Sequence, residues 1–473
     1  MKSFLYKYKE RIAWLVLLTV LLVLPFTLSL PQHSAGADSN KNNEKYLDHF
    51  LDVFSKVRHM YVDEDQTRVD TMIYGAIKGM LKSLDDPHTT FLDTKQFKNL
   101  KTDTKGSFGG LGIYIRIRDE KLIIINPMEG TPAWEVGLKP GDHIAEIEGE
   151  STEGITIEEA VSKLRGKKGS KVNITVIRET EPEPLSFTIT RDIIQIKSVE
   201  HEMITNTDFG YVKIRNFSQT TPADMEKVLN DIEQKDCKGL IIDLRYNPGG
   251  LLNAVIDVVD LFLDQGVIVY TKDRSGTVNH RFSAHNGTAF SRYIPVIILI
   301  NKFSASASEI FAGAMQDHKR ALLLGEQTFG KFSVQNVFDI DRADKTAFKM
   351  TIAYYYIPSG RSLHEEGLPP DVKVETDTYT KNEMKMLKKL KSLDLIKKYV
   401  EQHPDAANDQ KHLPQFMQKL ASLDIHLNKK IIAMHIDNHR NRNNPPELYD
   451  IKYDNQLKEA IRILKSNKIF NIK

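Results

Sequence analysis

The chain has almost no cysteine and almost no net charge. Cys237 is its one cysteine among 473 residues, which excludes an internal disulfide, a cysteine-based zinc site and a CxxC redox pair. Lysine and arginine (65) nearly balance aspartate and glutamate (63). The net charge of +2 lacks the strong basic excess that is typical of nucleic-acid-binding proteins. We therefore expect no nucleic-acid partner and a fold held together by packing alone.

What the chain does have is length and an ordinary apolar content. At ~150 residues per domain, 473 residues predict about three domains. The hydrophobic fraction of 41% is normal for globular proteins. Residues 376–473 carry 19 lysine and arginine residues against 12 aspartate and glutamate residues, so the charge is uneven. A slightly acidic body with a basic C-terminal region is predicted.

The N-terminal 30 residues resemble an export segment. Ile12–Leu30 is an uncharged run of 19 residues that follows four basic residues, and ~20 apolar residues are needed to span a bilayer. The positive-inside rule then predicts a single-pass protein of a bacterial cell membrane, anchored by residues 12–30, with everything after Leu30 outside the cytoplasm. A cleavable signal peptide is the alternative, because small residues follow at 34–37. Residues 31–43 are polar and predict a linker.

The rest of the chain divides by pattern. Residues 44–105 have helical apolar spacing, and residues 106–190 have the alternation and glycines of a small, mostly β module. In residues 191–375 strands alternate with helices, and the strands are continuous apolar runs, which is typical of a buried parallel sheet in an α/β protein. Residues 376–473 predict basic helices, and an apolar stripe there favours a homo-oligomer, with a dimer preferred.

The segment from residue 301 to 335 contains the best candidates for catalysis. A buried strand leads through small residues into a helix, with Ser304, Ser306 and Ser308 near the helix start, where free N–H groups favour a developing negative charge. Helix capping alone would also explain serines there. Lys331 follows a further strand and Gly330, and a buried lysine can act as the general base for a serine. Gln335, four residues on, is placed to hold its amine.

Other readings of these and neighbouring residues are weaker. Residues 325–331 match the GxxxxGK phosphate-binding pattern, but Phe332 replaces the Ser or Thr that binds Mg²⁺, and a strand follows instead of a helix. His435 and His439 have helical spacing but no third ligand nearby, so we expect no metal. Asp85 and Asp86 precede a proline and are better explained by a turn. No cofactor is expected.

Taken together, the motifs resemble one family. SASASEI at 304–310, GEQTFGK at 325–331, DLRYNPGG at 243–250 and IPSGRSLHEEGLPPDVKVE at 357–375 are similar to those of the carboxy-terminal processing peptidases. The resemblance covers nearly all of the chain after the linker. It implies an α/β protease core of the ββα-spiral, crotonase-like type, an inserted mostly-β PDZ domain, and helical N- and C-terminal regions.

The resemblance also implies roles for particular residues. By motif, the nucleophile is Ser306, the base Lys331 and its orienting partner Gln335. The oxyanion donors are backbone N–H groups of Gly249 or Gly250 and of Ala307, and Asp317 is a supporting residue. Phe332 departs from the glycine found in many members.

In the PDZ-like module, N–H groups of the glycine loop are expected to bind a C-terminal carboxylate, and the following strand to accept the tail. The residues proposed for this binding are Gly110, Leu111, Gly112, Ile113, Val161 and Leu164. Arg165 is proposed to couple tail binding to the active site.

The favoured function is an exported, membrane-tethered serine endopeptidase that captures the C-terminal tails of protein substrates and cleaves them through an acyl-enzyme. The alternative is a non-catalytic PDZ scaffold that binds partner C-termini. Both need the PDZ-like module, but only the peptidase needs Ser306 and Lys331.

Overall fold

The computed structural model describes residues 37–341, 345–405, 409–443 and 447–466. The chain divides into two compact units, Met1–Asp85 and Asp86–Lys473. The described part of the first unit consists of helix α1 (Ala37–Met60), a 3₁₀ turn (Glu64–Gln66) and helix α2 (Val69–Lys82). Apolar side chains such as Tyr46 and Phe50 are exposed on α1.

The predicted membrane anchor, residues 12–30, lies outside the described residues. Within the part of the chain that the structure describes, no helix is both long enough and apolar enough to cross a bilayer. The longest, α1, has 24 residues but carries charged side chains along its length, such as Asp48, Asp52 and Lys56. The prediction of a single-pass membrane protein with an extracytoplasmic catalytic part is therefore wrong for the chain as described.

The mostly β module is a small sheet with two short helices. Its strands are β3 (Ile113–Arg118), β4 (Lys121–Pro127), β5 (His143–Ile147), β6 (Glu150–Ser151), β7 (Lys171–Ile177) and β8 (Leu185–Thr190). Their order is β3-β4-β5-β7-β8, with β6 beside β5. The helices are α4 (Pro132–Glu135) and α5 (Ile157–Leu164), and α3 (Thr94–Lys105) precedes the module. Strands β2 (Ser107–Gly110) and β9 (Asp192–Gln195) pair with each other where the chain enters and leaves the module.

A six-stranded sheet forms the centre of the α/β core. Its order is β10 (Val199–Met203), β11 (Phe209–Ile214), β12 (Gly239–Asp243), β15 (Val296–Ile300), β16 (Ala321–Gly325) and β19 (Val372–Lys373). All neighbours are parallel except β10 and β11. Every residue of β12 and β15 is buried, because helices cover both faces. Helices α6 (Thr221–Gln234), α7 (Leu252–Asp260) and α8 (Ala307–Asp317) follow three of these strands.

A second, antiparallel sheet carries the segment after Lys331. It contains β1 (Thr90–Leu92), β18 (Thr346–Tyr356), β13 (Val267–Lys272) and β14 (Val278–Ser283) in that order, and β17 (Ser333–Asp341) also pairs with β18. The α/β core, the inserted β module and the helical ends confirm the predicted fold class.

The C-terminal region has two parts. Helices α9 (Lys381–Ser392), α10 (Leu395–Gln402), α11 (Asp409–Ser422) and α12 (Lys429–Arg440), with a 3₁₀ turn (Asn441–Asn443), enclose a small apolar core. Helix α13 (Asn455–Ser466) instead packs on the six-stranded sheet, where Leu457 and Ile461 contact the cluster around Ile241. Of the predicted apolar stripe, Met386 and Leu390 pack among the neighbouring helices, whereas Leu393 is 40% exposed.

Candidate active site

Ser306 stands at a sharp turn between a strand and a helix. It follows β15 and the loop at 301–305, and it is the residue immediately before α8. Its backbone φ is 57°, a region that non-glycine residues adopt at a cost of about 1–3 kcal/mol. Its side chain is half-buried, whereas the next nine residues are buried. The turn therefore presents the hydroxyl at a helix N-terminus while the helix anchors it in the core.

A buried carboxylate joins the backbone of Ser306 to that of Lys331. Glu309 is 0% exposed, and its Oε2 accepts hydrogen bonds from the N–H of Ser306 and the N–H of Lys331, each at 2.8 Å. Its Oε1 accepts from Gly330 N at 2.7 Å and from Thr328 Oγ1 at 2.5 Å. Burial raises the pKa of Glu309, and these hydrogen bonds oppose that shift. One side chain thus positions both predicted catalytic residues.

A second side chain connects the same two residues. The buried hydroxyl of Tyr355 donates to the carbonyl oxygens of Ser306 and Lys331. Phe332 is fully buried and stacks on Tyr355 with a ring-centroid distance of 4.6 Å. Phe332, the departure from the family pattern, is the residue after Lys331 in sequence and packs against Tyr355.

The surroundings of Lys331 favour a neutral amine. Burial lowers the pKa of Lys331, and the positive charge of Lys349 lowers it further. Glu309 and Asp86 act in the opposite direction, but the net shift is downward. His88 also lies close enough for its own pKa to be lowered, by burial first and then by Lys331. A lysine with a lowered pKa is better suited to accept a proton at neutral pH.

Gln335 lies on β17, four residues after Lys331, and its side chain is hydrogen-bonded to two hydroxyl groups. Its Nε2 donates to Ser333 Oγ at 2.8 Å and to Thr351 Oγ1 at 3.2 Å. These bonds fix the amide and leave its oxygen as an acceptor. Within the described residues these two hydroxyls are the hydrogen-bond partners of the Gln335 side chain.

The DLRYNPGG segment forms a loop against the turn that contains Ser306. Asn247, which is 0% exposed, accepts at its backbone oxygen from Ala305 N and from Ser308 Oγ, both at 3.0 Å. A Cβ added to Gly249 would lie 2.7 Å from the oxygen of Ala305 and 2.8 Å from Cβ of Ser306. Glycine is therefore required there by the close approach of the two loops.

The three predicted oxyanion donors differ in their hydrogen bonds. The N–H of Gly249 donates to Asn247 Oδ1 at 2.9 Å. Those of Gly250 and Ala307 donate to no other group within the described residues. Gly250 also pairs with Phe217 in an isolated parallel bridge, which fixes its backbone. Two free N–H groups thus lie near Ser306, one on the loop that contains Gly250 and one at Ala307, the first residue of α8.

An ion-pair network holds the start of this loop. Arg245 donates to both oxygens of Asp243, at 2.9 and 2.7 Å, and to both oxygens of Asp454, at 3.0 and 2.6 Å. Asp243 is fully buried and accepts from Tyr211. Burial alone would raise the pKa of Asp243, but Arg245 offsets this effect and the pKa stays below its usual range. Through Asp454, the C-terminal region therefore contacts Arg245 and helps to hold the loop in place.

The remaining predicted residues lie away from this cluster. Asp317 is at the other end of α8, paired with Arg361 at 2.9 Å. Cys237 is buried, and burial raises the pKa of its thiol. His435 stacks with Tyr379 at a centroid distance of 6.2 Å. In the described ranges, no group of three or more His, Cys, Asp or Glu residues is placed to hold a metal ion.

Two more of the sequence assignments are placed by contacts. Asp86 accepts from His88 N and Thr89 Oγ1, at 2.8 and 2.6 Å, which is the hydrogen bonding of a turn, and its charge acts on Lys331. Asp85 has a positive φ of 54°, which also fits a turn. His439 contacts Arg442.

The predicted tail-binding residues surround one edge of the β module. Strand β3, which begins at Ile113, is the edge strand of its sheet, so its outer side is open to strand addition within the described structure. Gly112 has a φ of 79°, and its carbonyl accepts from Met128 N. Leu111 and Leu164 belong to the buried core, while Val161 is half-buried on α5. Gly110 pairs with Asp192 in the connecting ribbon.

Arg165 lies where α5 meets that ribbon. Its guanidinium is 4.1 Å from the ring centroid of Phe108 on β2. Burial lowers the pKa of Arg165, and Asp103 opposes this. The next residue, Gly166, donates its N–H to Gly109 O at 3.0 Å.

Glu309, Tyr355 and Asp454 were not among the residues selected from the sequence. Glu309 had a usable signal, since Ser-x-x-Glu at a helix start is the spacing of a capping box. Tyr355 and Asp454 had none, because each is distant in sequence from the residues that it contacts. Sequence spacing reveals local partners but not these long-range ones.

Comparisons with known proteins agree with this geometry. Residues 208–374 match peptidase family S41, residues 101–177 match the PDZ domain, and residues 27–96 match the activating protease CtpB N-terminal domain. A carboxy-terminal-processing protease of Bartonella bacilliformis is 40% identical over 358 residues, covering 74% of this chain and 80% of that protein. The carboxy-terminal processing protease CtpA of Bacillus subtilis is 33% identical over 377 residues, 79% of each chain.

Among solved structures, the photosystem II D1 C-terminal processing protease is 28% identical, with a TM-score of 0.41, and covers 69% of this chain and 92% of its own. The sequence relatives, together with the matched domains, decide the assignment. The chain belongs to the carboxy-terminal processing peptidases of family S41, which are serine-type proteases, and it carries an inserted PDZ domain.

Proposed function

We propose that this chain is a serine endopeptidase that cleaves protein substrates with Ser306 as nucleophile and Lys331 as general base. The observation that carries the proposal is the Glu309 carboxylate, whose Oε2 accepts from the backbone N–H groups of both residues at 2.8 Å. A buried group that fixes two residues 25 positions apart in sequence is suited to hold a nucleophile near its base.

The reaction begins with proton transfer from Ser306 Oγ to the neutral amine of Lys331, as the oxygen attacks the carbonyl carbon of the scissile bond. The carbonyl oxygen becomes negatively charged, and the N–H groups of Gly250 and Ala307 donate to it. Collapse of this intermediate breaks the C–N bond, and the leaving amine takes the proton from Lys331. An acyl-enzyme ester on Ser306 remains.

Deacylation repeats the sequence with water. Lys331 removes a proton from a water molecule, which attacks the ester carbon and releases the new carboxyl terminus. The proton then returns to Ser306. Gln335, fixed by Ser333 and Thr351, offers its amide oxygen to the amine of Lys331 and keeps it oriented. Asp317, with Arg361, supports the far end of α8.

The PDZ domain supplies the substrate-capture step. The carboxylate of a substrate tail binds N–H groups of the loop Gly110–Gly112, and the tail adds as a strand along β3 from Ile113. Val161 borders this groove, and Leu164 supports it from the core. Arg165, which stacks on Phe108 at 4.1 Å, couples occupancy of the groove to the core through the β2–β9 ribbon.

The catalytic proposal is tested with the full chain and an unstructured protein as substrate. Ser306→Ala and Lys331→Ala are each expected to abolish cleavage while leaving the circular dichroism spectrum unchanged. Ser275→Ala and Lys238→Ala, at exposed positions elsewhere, serve as matched controls. Cleavage by either catalytic variant would contradict the dyad, and a wild-type chain that binds tails without cleaving would favour the non-catalytic scaffold.

The capture step has its own test. A peptide with a free C-terminal carboxylate is expected to bind the Ser306→Ala chain more tightly than the same peptide with an amidated end, as measured by fluorescence anisotropy. In the active chain, Arg165→Ala is expected to slow cleavage of the free-tailed peptide more than that of the amidated one. Equal effects on both peptides would contradict the coupling role.

We also propose a homo-oligomer, with a dimer preferred. Most of the apolar stripe of the C-terminal helices packs within the chain, so the main support for assembly is the exposed apolar side chains of α1, such as Tyr46, Phe50 and Val53. Light scattering on the full chain is expected to give twice the chain mass, and a single-chain mass at all concentrations would contradict it.

A further inference from the structure

Two aromatic side chains are stacked at the surface beside the catalytic loops. The rings of Tyr246 and Phe303 lie 5.3 Å apart between centroids with 19° between their planes. Tyr246 is 61% exposed and Phe303 is 49% exposed. Single exposed apolar residues are ordinary, but aromatic residues that form an exposed patch usually mark a binding surface.

Both residues come from the loops that carry the proposed chemistry. Tyr246 precedes Gly249 by three positions, and Phe303 precedes Ser306 by three positions. Asn301 joins the two loops, because its Oδ1 accepts from the N–H of Tyr246 and from that of Phe303, each at 3.1 Å. Its side chain is 2% exposed. The aromatic pair is thus held by a buried hydrogen-bonding residue and does not lie loosely on the surface.

The backbone at Tyr246 is unusual. Its φ is 63°, in the left-handed region that glycine and asparagine enter far more readily than tyrosine. A bulky residue is kept there at a conformational cost, and such strain is concentrated at ligand-binding and catalytic positions. Tyr246 remains 61% exposed, so burial of its ring does little to offset this cost in the folded state.

The third catalytic segment repeats the pattern. Phe329 precedes Lys331 by two positions and is 55% exposed. Its N–H donates to the oxygen of Ser304 at 3.0 Å, which places its backbone next to the nucleophile turn. Each of the three segments that contain the proposed catalytic residues therefore carries an exposed aromatic side chain.

We propose that Tyr246 and Phe303 form an apolar recognition surface for a large apolar side chain of the substrate polypeptide, close to the scissile bond. The occupant is a segment of unfolded substrate, because the pair is continuous with the loops that bind the scissile peptide. Lys302, whose amine lies 5.4 Å from the Phe303 ring centroid, disfavours lysine and arginine side chains there. The inference rests on the proposed peptidase function and adds a second selection step to tail capture.

The test compares two peptides cleaved by the full chain. Mass spectrometry of fragments from an unfolded protein first identifies the strongest cleavage sites, which are expected to have leucine or phenylalanine within two residues of the cut. Peptides covering one such site are then made with that leucine or phenylalanine, or with alanine. The wild-type chain is expected to favour the larger side chain in kcat/KM by about tenfold, the discrimination typical of an apolar subsite.

The variant Tyr246→Asn/Phe303→Ser removes both rings, and asparagine tolerates the positive φ. It is expected to reduce the tenfold preference to less than about twofold, since the loss of the apolar surface affects only the larger side chain. Tyr293→Ala, which removes an aromatic ring that is 85% exposed elsewhere, is the matched control and should keep the preference.

An unchanged preference in the double variant would overturn the proposal. An equal loss for both peptides would overturn it as well, because the rings would then only hold the loops in place. Failure of the peptidase proposal looks different: the wild-type chain would cleave neither peptide, or Ser306→Ala would cleave both.

Discussion

Replacing Glu309 with glutamine removes one acceptor oxygen from the centre of the proposed dyad. Each carboxylate oxygen accepts two hydrogen bonds, Oε2 from Ser306 and Lys331 and Oε1 from Gly330 and Thr328. In whichever orientation it adopts, glutamine keeps one of these pairs and turns an NH₂ group toward the other. Two buried donors then lose their acceptor.

The cost follows from the number of donors. A buried donor without an acceptor costs about 1–3 kcal/mol, so two predict a loss of about 2–6 kcal/mol in the free energy of unfolding. Glutamine also removes the burial of a charge, which is the effect that raises the pKa of Glu309. This relief places the expected loss near the lower end of the range.

The loss is measured by hydrogen exchange of the backbone amides between residues 301 and 335. Tryptophan fluorescence would not report on the site, because Trp134, the only described tryptophan, lies in the PDZ domain. The fall in kcat/KM, converted to a free energy, is expected to be at least as large as the loss in the free energy of unfolding. The negative charge of Glu309 raises the pKa of Lys331, so residual activity should rise with pH at a lower pH than in the wild-type chain.

Glu226→Gln, on the exposed side of α6, is the matched control. The reasoning is refuted if Glu309→Gln exchanges within about 0.5 kcal/mol of the wild-type chain, the scatter of ordinary surface substitutions, and cleaves substrate at the wild-type rate.

Three further outcomes are expected. Lys349→Gln removes a charge that lowers the pKa of Lys331, so the rise of kcat/KM with pH should move to higher pH. Asp454→Asn removes a charged partner of Arg245 and is expected to cost about 1.5–3 kcal/mol in urea unfolding, as for a hydrogen bond to a charged group, and to lower kcat more than it raises KM. Gly112→Ala introduces a Cβ 2.3 Å from the side chain of Thr131 and should weaken binding of a free-tailed peptide, measured by anisotropy.

Each of these substitutions has a control variant that tests the physical reason given for it. Asp86→Asn removes a charge that raises the pKa of Lys331, so it should shift the pH profile opposite to Lys349→Gln; shifts in the same direction would contradict the electrostatic account. Asp236→Asn, at an exposed aspartate, controls for Asp454. Gly130→Ala has a similar φ of 71° but open space around it, so tail binding as weak as in Gly112→Ala would rule out the steric explanation.

Local patterns carried the sequence predictions that succeeded. Continuous apolar runs at 239–243 and 296–300 became the central parallel strands, and the motifs around Ser306 and Lys331 led to the family and the enzyme class. Contacts between distant segments explain what was missed. Nothing near Asp454 in sequence indicates that it pairs with Arg245, 209 residues earlier, or that α13 packs on the protease sheet.

Local patterns also had limits at the site itself. The glycines of NPGG indicated close approach, but only the fold shows that the N–H of Gly249 is taken by Asn247. The apolar stripe at 386–393 suggested a partner chain, whereas two of its residues, Met386 and Leu390, pack against the helices that follow it and Leu393 stays exposed. Residues 12–30 were interpreted by their length, their hydropathy and the basic residues before them, and the membrane assignment drawn from them was wrong for the chain as described.

Helix α13 and Asp454 are synthesised after the proposed catalytic residues whose surroundings they complete. A ribosome completes Ser306 and Lys331 more than one hundred residues before it reaches Asp454. Until then Arg245 lacks its distal partner, and Ile241, Ile297 and Leu299 lack the helix that covers them. We therefore expect a growing chain to contain both proposed catalytic side chains while the DLRYNPGG loop still lacks this support. Proteolytic activity is then expected to begin only after α13 has packed on the sheet.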